Sequence, residues 1–139
     1  SNWTGVICEN KLESSKEHRW KITILKSHQV NFMVGVAPLD FDTNTSSYDE
    51  CGWYLYNNSN YANSTLFSGP PHNYNAKATN IKYANKEIEV VMNMSKRTLK
   101  FIIDNEDKGV QYENIPIDKP LVPAVCLETQ NDSIEIINC

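Results

Sequence analysis

The chain lacks three features that would each mark a functional class. No run of like charge occurs among its 139 residues and the formal net charge is −4, so neither nucleic acid nor an anionic membrane is an expected partner. The longest apolar stretch, residues 121–127, is far shorter than the roughly 20 residues of a membrane-spanning helix. No charged and then apolar leader opens the chain. We therefore expect an intracellular, cytoplasmic domain, with secretion left open.

Cysteine is also scarce. The chain has four cysteines, at Cys8, Cys51, Cys126 and Cys139. None belongs to a CxxC pair, which argues against a zinc site and against a redox motif. A domain of this length can bury an apolar core without covalent cross-links, so we expect reduced thiols.

The chain contains six N-x-S/T triplets, beginning at Asn2, Asn44, Asn57, Asn63, Asn93 and Asn131. In a secreted protein they would be acceptors for glycosylation. Because asparagine is abundant throughout the chain, we interpret the triplets as chance occurrences.

What the chain does have is period-two alternation of apolar residues. Trp20, Ile22 and Ile24 share one face of a predicted strand whose other face is polar. Residues 32–37 are apolar or small on both faces, which is typical of a central strand. Further alternating runs lie at 53–56, 87–93, 98–104, 109–115, 121–128 and 133–138. Short strands at near-regular spacing, with no helical pattern between them, predict an all-β sandwich or barrel.

Turns and irregular stretches separate these runs. Residues 93–97 predict one hairpin connection and residues 104–108 a second, with Gly109 able to adopt a positive φ. Pro123 favours the start of a strand or a sheet edge, because it donates no backbone hydrogen bond. Residues 38–50 and 69–86 do not alternate. Long irregular segments in a compact domain often carry binding residues.

Seven segments carry a family resemblance: HRWKI (18–22), MVGVA (33–37), CGWYLY (51–56), LFSGPPHNY (66–74), EIEVVMN (87–93), LKFIIDNEDKGVQYENI (99–115) and KPLVPAVCLETQNDSIEII (119–137). In this order they resemble the SPRY family, the C-terminal half of the PRY-SPRY module, over nearly the whole chain. The resemblance implies a concanavalin-like β-sandwich of two antiparallel sheets with no cofactor. Asn105-Glu106 stands where members commonly have Asn-Gly, which favours a longer loop over a two-residue turn.

The resemblance also implies a function. Residues 1–139 would form one monomeric SPRY domain of a longer chain, a non-enzymatic module that binds a protein or peptide through its inter-strand loops. In the family such a module is often the substrate-recognition part of a ubiquitin ligase. Two family loops, here residues 44–50 and 127–130, would converge on one end and bring Tyr48 beside Glu128. The predicted partner-binding residues are Tyr48, Asp49, Tyr61, His72, Tyr74, Leu127, Glu128, Thr129 and Gln130.

Other functions are weighed against this one. Sandwiches of this type also bind sugars, so a lectin-like domain is the alternative. A hydrolase would need two carboxylates about 5–10 Å apart, and no spacing in the chain pairs them. Residues 40–51 resemble the start of a calcium loop, but Thr45 replaces the required glycine and Cys51 the bidentate glutamate. We therefore predict no metal site and no catalytic residues.

Overall fold

The computed structural model describes residues 4–8, 10–26, 32–40, 52–57, 64–68, 73–79, 87–127 and 133–137 of the chain. Every regular element in these ranges is a β-strand. The strands are β1 (Thr4–Ile7), β2 (Glu17–Lys26), β3 (Phe32–Pro38), β4 (Trp53–Asn57), β5 (Ser64–Ser68), β6 (Asn73–Thr79), β7 (Glu87–Asn93), β8 (Thr98–Ile103), β9 (Glu106–Tyr112), β10 (Leu121–Leu127) and β11 (Ser133–Ile137). Within the described ranges there is no helix that could span a membrane.

The strands form two antiparallel sheets. The six-stranded sheet has the order β1-β10-β3-β4-β5-β6, and the five-stranded sheet has the order β11-β2-β7-β8-β9. One cluster of buried apolar side chains joins β2, β7 and β8 of the second sheet to β3, β4 and β10 of the first. The predicted all-β sandwich of two antiparallel sheets is confirmed.

Alternation turns one face of the five-stranded sheet into the core and the other into solvent. Trp20 and Ile22 of β2 are only 2% and 0% exposed. Arg19, on the outer face, lies 3.1 Å from Glu89 of β7 (Nη1 to Oε1). Exposed ion pairs of this kind contribute about 1 kcal/mol or less, so the buried face carries most of the stability.

The six-stranded sheet is buried on both faces around β3. Phe32, Val34 and Val36 point into the main core. Met33 and Ala37 belong to a second buried cluster, completed by Tyr54, Ala124 and Cys126. This confirms the prediction that residues 32–37 form a central strand.

Pro123 lies inside β10, between β1 and β3, and not at a strand start or sheet edge as the sequence predicts. Its carbonyl accepts a hydrogen bond from the backbone N–H of Cys8 at 3.0 Å. In an antiparallel ladder the N–H and C=O of one residue face the same neighbouring strand. Pro123 has no N–H to donate, and the side on which this N–H would lie faces Cys8, directly after the end of β1. The hydrogen bonds between β10 and β3 are therefore all retained.

The turn between β8 and β9 is a tight two-residue turn, so the prediction of a longer loop is wrong. Asp104 and Asn105 both adopt positive φ, at 50° and 65°, as a type I′ turn requires. Asp and Asn tolerate this conformation better than other non-glycine residues. The Asp104 carboxylate also accepts a hydrogen bond from the backbone N–H of Glu87 at 3.2 Å. Gly109 has the predicted positive φ, 79°, but lies within β9.

Two further predictions are corrected by the structure. Residues 73–79, expected to be irregular, form β6, where Tyr74 pairs with Phe67 of β5. Tyr74, Ala76 and Ala78 do alternate with polar residues here, but alanine favours strands only weakly, so the pattern was missed. Cys8 is in a disulfide, so the expectation of reduced thiols is wrong for this residue. Cys126 carries a buried, reduced thiol.

Candidate functional site

Four inter-strand segments meet at one end of the sandwich, which we call the connection end: residues 8–16, 38–40, 94–97 and 113–120, with residue 9 outside the described ranges. Backbone hydrogen bonds of 2.8–3.1 Å tie these segments to each other and to β10: Leu12 N to Leu121 O, Leu39 N to Pro120 O, Met94 N to Lys16 O and Ile115 N to Arg97 O. Because the segments hold one another through their backbones, this end has a defined shape in the free protein.

The connection end contains an open groove with a volume of about 380 Å³. Its apolar lining comes from Leu12, Met94, Ile117 and Pro120. Met94 is 5% exposed and anchored in the core, whereas Ile117 is 39% exposed. Only Ile117 and Val110 are exposed large hydrophobic residues in the described part of the chain. An exposed isoleucine in a concave surface is typical of a site that another molecule covers.

Charged residues of both signs surround the apolar lining: Lys11, Glu13, Asp118 and Lys119. Lys119 Nζ lies 3.1 Å from Asp40 Oδ2, and Asp40 lines an adjoining cavity of about 260 Å³. Glu13 Oε2 lies 2.6 Å from Lys16 Nζ. The hydrogen bond from Lys16 lowers the pKa of the Glu13 carboxyl below its usual value, so Glu13 is an anion near neutral pH.

The groove is pre-shaped by local backbone geometry. Three non-glycine residues at the connection end have positive φ: Ser15 at 63°, Arg97 at 57° and Asn114 at 57°. Such conformations are uncommon outside glycine and persist where the surrounding structure enforces them. The ring of His18 is within hydrogen-bonding distance of the Glu13 carbonyl, 2.9 Å from Nε2. A partner would meet a surface that needs little ordering, which favours binding.

The residues of the groove are suited to binding contacts with another molecule. The described residues contain no group of three or more His, Cys, Asp or Glu side chains that could hold a metal ion. The Glu13 carboxyl, with its lowered pKa, is suited to ion pairing and poorly suited to donating a proton at neutral pH. An apolar floor with fixed charges around it suits an apolar side chain flanked by charged groups.

Most of the predicted partner-binding residues lie outside the described ranges: Tyr48, Asp49, Tyr61, His72, Glu128, Thr129 and Gln130. Tyr74 is described in its backbone and lies in β6, not in a loop as the sequence predicts. Leu127 ends β10, where its side chain packs against the main core. Their roles in binding stay predictions.

The strand registers show where the described strands next to residues 44–50 and 127–130 end. Leu127 pairs with Phe32 at the start of β3, and Trp53 pairs with Val36 near its end. These positions are about 14 Å apart along the strand, at about 3.4 Å per residue. The chain also leaves them in opposite directions. The ends of β3 and β4 that flank residues 41–51 therefore lie at the connection end, and Leu127 lies at the opposite end. The predicted contact between Tyr48 and Glu128 lies outside the described residues and stays a prediction.

The groove residues were missed from the sequence. Leu12 and Ile117 are isolated apolar residues in polar, non-alternating segments, and Met94 sits in a predicted hairpin. The one available signal was Ile117 itself, an apolar residue between Pro116 and Pro120 in a charged stretch. Nothing local links it to residues 11–14, because strand pairing alone brings these segments together.

Comparison with known proteins settles the family. The family model of the SPRY domain matches residues 17–139. The chain belongs to the SPRY domain family. This confirms the resemblance drawn from the sequence, and SPRY domains are in general modules for interaction with other proteins.

Two crystal structures share the fold of this SPRY domain. The SPRY domain of human HERC1 superposes with a TM-score of 0.78 at 17% identity, covering 99% of this chain and 84% of that one. A human SPRY domain superposes with a TM-score of 0.71 at 13% identity, covering 99% and 86%. Among curated proteins, none matches this sequence. At such low identity the likeness concerns the fold alone.

The match to the family model covers only part of the groove. Residues 117–120 lie inside the family match, whereas residues 11–14 precede it. One wall of the groove is therefore built by residues that the family model does not include.

Proposed function

We propose that this SPRY domain binds a protein or peptide partner in the groove of the connection end. One observation carries the proposal: Ile117, 39% exposed, lines a concave surface whose backbone is already fixed. Burying an isoleucine side chain stabilises a complex by about 2 kcal/mol. Anchors of this kind dominate the energy of interfaces.

The charges around the groove indicate which charged groups a partner should carry. Glu13 and Lys119 are already engaged by Lys16 and Asp40. Lys11 and Asp118 make no ion pair with another described residue, so they are the charges that a partner can neutralise. The favoured ligand is a segment with an apolar side chain for Ile117, an acidic group near Lys11 and a basic group near Asp118.

The ubiquitin-ligase role remains a prediction from the family resemblance, and we do not extend the proposal to it. The disulfide at Cys8 weighs against that role, because ubiquitin ligases act in compartments where disulfides are rare.

The proposal is tested by selecting peptides from a random phage-displayed library on the immobilised domain and measuring their affinity in solution. Ile117→Asp should weaken the selected peptides tenfold or more, about 1.4 kcal/mol. Val110→Asp is the matched control, because Val110 is the other exposed large hydrophobic of the described residues, at 43%, and lies on β9. The affinity of the Val110→Asp protein for the selected peptides should stay within twofold of that of the unmodified domain.

Two outcomes would overturn the proposal. One is a set of selected peptides that bind the Ile117→Asp protein as tightly as the unmodified domain. The other is a glycan array that yields a ligand competing with those peptides, since the alternative function is carbohydrate binding. Both variants must give the unmodified circular-dichroism spectrum.

A further inference from the structure

The disulfide of Cys8 has its partner outside the described residues. Cys8 is bonded, and three other cysteines occur in the chain. Strand geometry decides among them, because the two Cα atoms of a disulfide lie no more than about 7 Å apart.

Cys8 itself is held firmly. It follows β1, the edge strand of the six-stranded sheet, in which Ile7 pairs with Ala124. Its N–H donates to the carbonyl of Pro123 at 3.0 Å. The residue is thus fixed at the outer edge of that sheet, at the connection end.

Cys126 is not in a disulfide, and the strand order argues against Cys51. Cys126 pairs with Gly5, three residues before Cys8 and about 10 Å away along the strand. Cys51 directly precedes Gly52 and β4, and β10 and β3 lie between β1 and β4. Three strand spacings of about 4.8 Å separate these two strands by about 14 Å.

Cys139 follows the end of β11 by two residues in the sequence. β11 is an edge strand of the five-stranded sheet, and its Ile137 pairs with Lys21 of β2. A chain that continues this pairing runs toward Glu17, where residues 8–16 lead from β1 into β2. The hydrogen bond from Tyr112 of β9 to Tyr54 of β4 lies across the core. With β9 facing β4, the opposite edge of the five-stranded sheet, β11, falls on the side of β1.

We propose that Cys8 is bonded to Cys139 and that this disulfide joins the two edge strands, β1 and β11, on one side of the sandwich. In thiol–disulfide exchange, the two thiols give up two protons and two electrons to a disulfide oxidant such as glutathione disulfide, which leaves as two glutathione thiols. The bond forms and persists in an oxidising compartment. The domain is accordingly assigned to the secretory pathway or the cell exterior, not to the cytoplasm.

Peptide mapping tests the pairing directly. The full chain is equilibrated with reduced and oxidised glutathione, alkylated with iodoacetamide, and digested without reductant. We expect a linked peptide containing Cys8 and Cys139, two hydrogens lighter than its separate parts and lost on reduction, with Cys51 and Cys126 alkylated. A linked peptide containing Cys8 and Cys51, or alkylation of all four cysteines, would overturn the proposal.

Variants add an independent readout. Cys8→Ser and Cys139→Ser should each lower Tm by about 10 °C, and the double variant should have the same Tm as either single variant. Dithiothreitol should lower the Tm of the unmodified chain to that of the variants. Cys51→Ser is the matched control and should leave Tm unchanged. A larger drop for Cys51→Ser than for Cys139→Ser contradicts the assignment.

Compartment is tested by thiol trapping in cells that naturally make the protein, with alkylation before lysis. A linked Cys8–Cys139 peptide supports the secretory assignment. Recovery of both cysteines as alkylated thiols overturns it. This readout does not depend on the groove, so it is independent of the proposed binding function.

Discussion

The phenolic hydroxyl of Tyr112 donates a hydrogen bond of 2.6 Å to the backbone carbonyl of Tyr54, 58 residues earlier in the chain. Tyr112 lies in β9 of the five-stranded sheet and Tyr54 in β4 of the six-stranded sheet. Both residues are buried, at 4% and 0% exposure. The bond therefore joins the two layers through the interior and fixes how β9 sits against β4.

Tyr112→Phe removes this bond and keeps the ring. We expect a loss of about 1–2 kcal/mol in the free energy of unfolding, the cost of one buried hydrogen bond. Urea denaturation followed by tryptophan fluorescence measures it, and hydrogen exchange should show weaker protection of β4 and β9. An unchanged midpoint would mean that the bond contributes nothing to the contact between the sheets.

Gly35→Ala should destabilise the fold severely. A Cβ at this position in β3 would lie 1.9 Å from the carbonyl oxygen of Trp53, a backbone atom of the neighbouring strand. The strands must separate to admit it, at a cost of about 3 kcal/mol or more. Gly109→Ala is the matched control: nothing lies within 4 Å of its Cβ, and only the φ of 79° opposes the change, at about 1 kcal/mol. Equal midpoints in urea would refute the steric argument.

Trp20→Ala should cost about 3–5 kcal/mol, because the indole is a large buried side chain. Val125→Ala removes less volume and should cost less. Trp20 and Val125 are each 2% exposed in the main core. Val110→Ala, at a position that is 43% exposed, serves as control and should stay within about 0.5 kcal/mol. Chemical denaturation ranks the three, and a different order would contradict the assignment of strand faces.

Asp107→Asn should reduce the dependence of stability on pH. The hydrogen bond from Lys100, at 2.9 Å, lowers the pKa of the Asp107 carboxyl below its usual value, assisted by the N–H of Gly109 at 2.7 Å. A lowered pKa in the folded state stabilises the fold above the unfolded pKa, and this contribution is lost as the pH falls through the folded pKa. The difference in Tm between the unmodified and variant proteins should be constant above about pH 5 and vanish in more acidic buffer.

Asp118→Asn is the control for that titration, since Asp118 is exposed and makes no hydrogen bond or ion pair with another described residue. The Tm of the Asp118→Asn protein should equal that of the unmodified protein at neutral pH. A difference at neutral pH as large as that of Asp107→Asn would assign the effect to net charge and not to the Lys100 contact.

Tyr48→Ala and Glu128→Ala together test which end of the sandwich binds a partner. Tyr48 falls in the chain between β3 and β4, whose ends at Pro38 and Trp53 lie at the connection end, and Glu128 follows Leu127, which lies at the opposite end. A groove ligand should therefore bind the Tyr48→Ala protein more weakly, by about 2 kcal/mol, and the Glu128→Ala protein normally. Titration calorimetry with a peptide selected on the domain measures both. Weaker binding by Glu128→Ala alone would move the site to the opposite end.

The sequence alone determined eight of the eleven described strands, the all-β class, the central position of β3 and the family. Period-two alternation and turn residues are local properties of the chain, so Trp20, Ile22 and Val34 could be assigned to buried faces before any coordinates. Local patterns failed at β6, whose alternating apolar residues include two alanines, which favour strands only weakly. They also failed at Asp104–Asn105, where two left-handed residues close a turn without glycine.

Tertiary structure decided everything that depends on strand order and register. Alternation says which face a side chain takes, but not which strand is its neighbour or which end of the sheet a loop leaves from. Register placed Trp53 and Leu127 at opposite ends of their sheet. It also turned the Pro123 carbonyl toward the end of β1 and brought Leu12, Met94 and Ile117 into one groove. The placement of Cys8 at the outer edge of its sheet has the same origin, because an edge exists only once the whole sheet has formed.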